Sequence, residues 1–386
     1  MSIARREFLV GGVLPALAGA MSAHAAERAD PAVQDRIVHF HSDGLALSPA
    51  DYARLLGRLA EHSGIEIDNY SRGGVVALLE ERMATLLGKE TAVYLPTGTL
   101  ANHLAVRLLA GGRRRVLVQQ ESHLYNDAGD CAQQLSGLTL VPLAAGRATF
   151  TLDQVASEIR RLETGRVRTA VGAISIESPV RRASGELFDF EEMRKICEFA
   201  RARDIGLHLD GARVFLASAY TGVSPATYAA LFDTVYVSLY KYFNSASGAI
   251  LAGPRRLLEN LFHDRRMFGG GLPQVWPEAA VALHYVDGFG DRFARAAAVA
   301  EALFQTISAH PHCRVERQPN GTNVTRLQVD GAKAALLPER LRTRGAAIGH
   351  AQKTASGAAN FVLFTNESLL RRPASEIIGA FADALA

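Results

Sequence analysis

Ile205-Gly-Leu-His-Leu-Asp210-Gly-Ala-Arg213 and Thr234-Val-Tyr-Val-Ser-Leu-Tyr-Lys241 are the stretches whose reading decides the fold. Each is a short apolar run that ends in a charged side chain, aspartate in the first and, 31 positions later, lysine in the second. Unbroken runs of this length bounded by turn residues read as buried strands. Each strand delivers its polar residue to a sheet edge.

A lysine amine and a carboxylate presented from neighbouring strand ends meet the needs of pyridoxal phosphate chemistry. The amine condenses with the aldehyde, and the carboxylate keeps the ring nitrogen protonated so that the ring draws electrons. Lys241 stands between Tyr240 and Tyr242-Phe243, an apolar setting that lowers an ammonium pKa. Arg213 leaves the same strand as Asp210, so its bidentate fork points to a carboxylate or cofactor contact rather than a surface ion pair. Pro96-Thr97-Gly98-Thr99 follows a strand and opens a helix, a turn that aims free N–H groups and hydroxyls at one point, where the helix dipole favours a phosphate. His123, after the next strand, is placed to stack on a planar ring. Gly269-Gly270-Gly271 permits close backbone approach to a partner subunit or to the cofactor phosphate, and an ordinary flexible loop explains it nearly as well.

Around these residues, strands and helices alternate. Strands are expected at Thr91–Leu95, Arg115–Gln119, Leu138–Pro142 and Arg168–Ile176, with helices at 49–62, 75–87, 100–109, 151–162 and 189–203. Thr151-x-x-Gln154 is a capping box. This alternation implies an α/β fold, a large doubly wound and mainly parallel sheet covered on both faces. From about Gly288 the pattern changes to a long alanine-rich helix and two later strands, Asn323–Val329 and Asn360–Thr365, typical of a small C-terminal α+β domain. The expected division is a leader at 1–25, an arm and large domain at 26–287, and the small domain at 288–386.

The 386 residues are 48% apolar and 21% charged, as suits a globular enzyme. Net charge is +3, and +2 without the first 25 residues, which leaves no electrostatic footprint for nucleic acid. Cys131, Cys197 and Cys313 are widely spaced and odd in number, so neither a disulfide framework nor a metal site is indicated. The N-terminus combines Arg5-Arg6-Glu-Phe8-Leu9, a modest apolar stretch and Ala23-His24-Ala25, the plan of a cleaved export signal too short for a stable membrane span. The paired arginines resemble a twin-arginine signal, with departures at Ala4 and Val10, and the alternatives are the general secretory route or a lipid-free N-terminal anchor. Twin-arginine export carries folded protein, so a cofactor can be loaded before periplasmic delivery.

In this order, from Ser42-Asp43 through Tyr285, the motifs resemble the threonine aldolase and β-eliminating lyase family of fold-type-I pyridoxal phosphate enzymes. The resemblance implies a homodimer or homotetramer acting on an amino-acid substrate. It implies that Gly98 and Thr99 cradle the phosphate, that His123 stacks on the ring and is a candidate base, and that Asp210 pairs with the ring nitrogen. Arg213 would contact cofactor or substrate, Lys241 would carry the cofactor, and Arg266 to Gly271 would lie at the subunit interface.

The substrate kit departs from that family. Where its aldolases carry Glu-Asn-Thr-His, this chain has Glu177-Ser-Pro-Val180, so a histidine near the substrate hydroxyl is missing. Leu272-Pro273-Gln274 replaces Met-Arg-Gln, and Asn360 to Asn366 contains no arginine for the substrate carboxylate. Ser-Lys-Gly-Leu-Gly becomes Tyr240-Lys-Tyr-Phe-Asn244. The expected activity is therefore retro-aldol cleavage of a β-hydroxy-amino acid other than threonine, one with a larger or less polar side chain. Transamination or β-elimination is the alternative within the same chemistry. A non-catalytic periplasmic cofactor-binding protein is the alternative outside it.

Overall fold

A computed structural model of the chain describes residues 37–353 and 358–386. Thirteen strands are formed among them. β1 is Val38–His39, β2 Thr91–Leu95, β3 Arg115–Gln119, β4 Thr139–Leu143, β5 Val171–Glu177, β6 Gly206–Asp210 and β7 Thr234–Ser238. β8 is Ala249–Gly253, β9 Cys313–Glu316, β10 Val324–Val329, β11 Ala346–Ala347, β12 Gln352–Lys353 and β13 Ala359–Phe364. Seven of them build one sheet in the order β2-β8-β7-β6-β5-β3-β4. β8 is antiparallel to both neighbours, and the remaining pairs are parallel.

The sheet is covered on both faces because its strands are apolar on both. β5 sends Ile174 and Ile176 into one core and Ala173 into the other. Against the first face lie helix α1 (Pro49–His62), through Leu59, and helix α2 (Gly74–Leu87), which buries Val75, Leu79 and Met83. Helix α3 (Gly98–Ala110) lies on the second face through Ala101, Leu104, Ala105 and Val106. Its small side chains let it approach closely. A Cβ on Gly172 of β5 would fall 2.2 Å from the Arg113 carbonyl oxygen and 2.7 Å from that of Ala110.

Local chemistry sets the ends. Ser48 caps α1 in a capping box with Asp51, with Pro49 in the first turn. The expected box at Thr151 and Gln154 forms and opens the Leu152–Glu163 helix. Gly88 closes α2 in the left-handed conformation at φ 61°.

Two expectations about the sheet need correction. The strand leading to Lys241 ends at Ser238: the Leu239 N–H still meets the Gly248 carbonyl opposite it, but the Leu239 carbonyl accepts from the Ser245 N–H within the turn back to β8. Lys241 thus sits in the turn beyond the strand. β8 itself was not expected.

The C-terminal residues form a second core. An antiparallel sheet of order β12-β13-β10-β9 packs against helix α4 (Phe289–Ser308) and helix α5 (Ala374–Leu385). Val38 and Phe40 belong to this second core, where Phe40 meets Phe381 edge to face at 5.4 Å. β1 pairs in parallel with β11, so the start of the described chain is built into the C-terminal layer. α4 joins the two cores: Phe289 and Phe293 enter the large one, and Ala296 to Ile307 the small one.

Candidate active site

The register of the three central strands sets the site. Glu177 is paired with Asp210 across β5 and β6, and Asp210 with Tyr236 across β6 and β7. These side chains stand in a row at the C-terminal ends of parallel strands, where open α/β sheets bind ligands. A cavity of about 810 Å³ opens there, within the range of small-ligand sites. Gly98, Thr99, His123, Asp210, Arg213 and Lys241, all six residues singled out from the sequence, line it.

At one end lies the N-terminus of α3. Thr97 caps it by accepting from the Leu100 N–H at 3.2 Å, which leaves the first-turn N–H groups facing the cavity. A Cβ at Gly98 would sit 1.9 Å from the Tyr236 hydroxyl, so only glycine brings the helix this close.

Asp210 is 4% exposed and rigidly held. Asn102 donates Nδ2–H to its Oδ2 at 2.5 Å, and the Ala212 N–H donates to Oδ1 at 3.2 Å. Behind Asn102 lies His208, whose Nε2 is 2.9 Å from Asn102 Oδ1 and whose Nδ1 is 2.8 Å from the Thr234 hydroxyl. Burial pushes the pKa of His208 down to about 4, so the imidazole is neutral. Because Asn102 Oδ1 accepts, the proton is on Nε2, and every bond from Thr234 to Asp210 then points the same way.

The Lys241 amine lies 5.0 Å from the Tyr240 ring centroid and 5.9 Å from that of Tyr236. Burial, with the Arg213 guanidinium, lowers its pKa to about 8 against the pull of Asp210, Asp43 and Glu177. The lowering expected from an apolar setting is present, but its source differs. Tyr242 and Phe243 do not crowd the amine; both are buried in the core with Phe215 and Phe289. Of the three aromatics flanking the lysine, Tyr240 alone lines the cavity.

Arg213 donates Nε–H to Asp43 Oδ2 at 2.9 Å, with Nη2 at 2.8 Å from the same oxygen. Asn323, from β10's leading edge, donates to Asp43 Oδ1 at 3.0 Å. Burial opposes ionisation of both partners, yet their pairing holds Asp43 below, and Arg213 above, its ordinary pKa. His123 donates its backbone N–H to Glu177 Oε2 at 2.5 Å. Burial lowers the pKa of its imidazole, and Nδ1 is buried with no hydrogen-bond partner among the described residues. Glu177 also accepts from the Arg181 N–H at 2.8 Å, yet burial and the nearby Asp210 raise its pKa to about 7.

Asp43, Asn102, Glu177 and Tyr236 are site residues that sequence reasoning did not single out. Glu177 ends a buried strand as Asp210 does, and that signal was readable. Asn102 is a polar residue inside a helix and gave none. The triple glycine lies outside the cavity wall: Gly270 backs onto Leu100 of α3, where a Cβ would meet Leu100 Cδ2 at 2.6 Å.

These features fit pyridoxal phosphate. The helix terminus suits its phosphate, the fixed carboxylate its ring nitrogen, the low-pKa amine its aldehyde, and the unpartnered imidazole a neighbour over the ring. No group of three potential metal ligands occurs among the described residues.

Comparison with known proteins agrees. The sequence pattern of the beta-eliminating lyase family matches residues 63–330. The low-specificity L-threonine aldolase of Candida albicans is 31% identical over 222 residues, 56% of this chain and 58% of that protein. That of Escherichia coli K12 is 29% identical over 280 residues, 72% of either chain. A solved protein of Exiguobacterium sp. 255-15, provisionally described as an aromatic amino acid beta-eliminating lyase/threonine aldolase, shares the fold. Its TM-score is 0.77 at 24% identity, with 92% of this chain and 98% of that one covered. The cofactor that the site fits is present in solved enzymes of the same fold. This chain belongs to the beta-eliminating lyase family, fold-type-I enzymes that use pyridoxal 5′-phosphate.

Proposed function

We propose that the enzyme cleaves a β-hydroxy-amino acid larger than threonine into glycine and an aldehyde. When bound, pyridoxal phosphate supplies an aldehyde for the substrate amine and a ring that takes up the electrons of the breaking Cα–Cβ bond. The α3 N-terminus receives the phosphate through backbone N–H groups at Gly98 and Thr99. Asp210, held by Asn102, keeps a proton on the ring nitrogen. Lys241, with its pKa near 8, supplies a neutral amine at mildly alkaline pH. His123, neutral through burial, accepts the proton that leaves the β-hydroxyl oxygen. Arg213, oriented by Asp43, presents its guanidinium to the substrate carboxylate.

The observation that carries this reading is the convergence of Lys241, Asp210, His123 and the α3 terminus on one cavity. The preference against threonine rests on the changed substrate residues. Val180 stands near the position of the family's histidine and is fully buried. No arginine is present in β13.

The test is to give the cofactor-loaded enzyme a panel of β-hydroxy-amino acids and measure glycine and aldehyde. Glycine should form from the bulkier members, with threonine poor. A threonine kcat/KM of about 10⁴ M⁻¹s⁻¹ or more, the ordinary enzyme range, removes the specificity claim. Oxo-acid in place of glycine makes the reaction a transamination, and no turnover makes the protein a carrier.

Periplasmic delivery by the twin-arginine route, as a homodimer or homotetramer, is part of the same proposal. The leader lies outside the described residues. Among those described, no helix is long and apolar enough to cross a membrane. Assembly is supported by Ile67, Tyr70, Met267 and Leu272, large apolar side chains left exposed beside or near the triple glycine.

A further inference from the structure

We propose that Arg181 selects substrates that carry an acidic group beyond Cβ, such as a carboxylate on the β-substituent. The inference rests on the amino-acid lyase reading above and adds the chemical class of the side chain.

Charge pairing in the cavity points to it. Six charged residues line the wall: Asp43, Glu177, Arg181, Asp210, Arg213 and Lys241. Asp43 orients Arg213 in an ion pair, and Arg213 is committed to the substrate's α-carboxylate. Asp210 is committed to the ring nitrogen and Lys241 to the aldehyde. Glu177 titrates near neutrality and turns its oxygens to backbone N–H groups. Arg181 is the lining cation with no carboxylate partner on the wall. Its ion-pair partner, Asp127, lies outside and is taken by the next residue: Arg182 grips Asp127 with a fork at 3.1 and 2.8 Å, while Arg181 reaches it at 3.4 Å. One carboxylate between two guanidiniums leaves the weaker-bound one available to a ligand.

The backbone makes this placement firm. The Arg181 N–H is fixed on Glu177 Oε1 at 2.8 Å, and Val180 forms a bridge to Glu186 with its side chain fully buried. Residue 181 is therefore the one that turns outward to the cavity. Its side of the cavity is set by His123, whose electrostatic neighbours include Arg181 and Asp127. If His123 takes the β-hydroxyl proton, then Arg181 lies where the β-substituent extends, while Arg213 meets the α-carboxylate. Two acidic ends, two guanidiniums: the pocket is built for a dicarboxylate-like amino acid.

The experiment titrates cofactor-loaded wild type, Arg181→Ala and Arg181→Lys with L-aspartate and L-asparagine, following the absorbance of the bound cofactor. These two ligands have similar shape and differ in side-chain charge. Solvent reaches 59% of the Arg181 side chain, so the preference of wild type for aspartate should be about tenfold rather than that of a dry ion pair. Arg181→Ala should lose the preference with asparagine binding and the unliganded spectrum unchanged, and Arg181→Lys should retain part of it. Equal binding of the two ligands by wild type overturns the inference while leaving the lyase reading intact. So does a preference that survives in Arg181→Ala, or an equal loss of both ligands in that variant. Absence of any spectral response to either amino acid in wild type overturns the amino-acid reading and the inference with it.

Discussion

At the scale of the residue, the amine of Lys241 is the most consequential group, and its burial gives a signed expectation. A lysine with its pKa lowered to about 8 is protonated below that pH and nucleophilic above it. The rate at which cofactor-free protein takes up pyridoxal phosphate should rise through pH 8 and level off above it. Borohydride reduction followed by mass spectrometry should then find the label on Lys241; label on another lysine refutes the assignment. Asp210 gives a second expectation. Asp210→Asn should keep the cofactor but lower turnover by orders of magnitude, since a neutral amide does not hold the ring-nitrogen proton. Asn102→Ala should lower turnover less, by about tenfold, because it removes one hydrogen bond to a charged group. A turnover unchanged in Asn102→Ala shows that the line from Thr234 through His208 carries no orientation. Lys241 and Asp210 were legible because each ends an apolar run with a charge that burial makes costly. Asn102 was not, since its partner lies 108 positions away and nothing local to α3 requires an amide there.

At the scale of the element, what was readable was periodicity and caps. α2, the box at Thr151 and the buried runs of β5, β6 and β7 all announce themselves by pattern. β8 does not: Ala249-Ile-Leu-Ala-Gly253 is short, small-sided and buried throughout, so it shows neither alternation nor a strong β-branched bias. It lies between β7 and β2 and pairs with both, partners that only the tertiary fold brings beside it. The overrun of the Lys241 strand has a similar cause, since Leu239 and Tyr240 look as strand-like as Val237 until the Ser245 N–H takes the Leu239 carbonyl. Gly172 is another element-level requirement hidden in sequence. It lets β5 slide under the end of α3, and the register of β5 against β3 shifts beside it, between Arg115 and Val116. Gly172→Ala should therefore destabilise the fold by about 2 kcal/mol or more through overpacking against backbone that cannot yield. Chemical denaturation reads this directly, and a variant as stable as wild type contradicts so close an approach.

At the scale of the molecule, the first described residues of the N-terminal arm are part of a core. Val38 and Phe40 could not be assigned from sequence because their partners, such as Phe381, lie more than 300 positions later and no local pattern links them. The export proposal also belongs to this scale. Full-length protein expressed in a Gram-negative host should appear in the periplasmic fraction, cut after Ala25, carrying cofactor and sedimenting as a dimer or tetramer. Replacing Arg5 and Arg6 by lysine should hold the precursor in the cytoplasm, and continued efficient export of the double variant assigns the general secretory route instead. The Asp43–Arg213–Asn323 junction bears on the order of events before that step. One of its residues comes early in translation, one from the middle and one late, with 280 positions between Asp43 and Asn323. Asn366 then fastens the same arm through the Ser42 and His39 carbonyls. A ribosome has released almost the whole chain before these groups can meet. Cofactor capture at a finished pocket therefore falls after synthesis, and before departure if the chain is exported folded as proposed; a nascent chain passes through nearly its full length with the arginine of its binding pocket still unaimed.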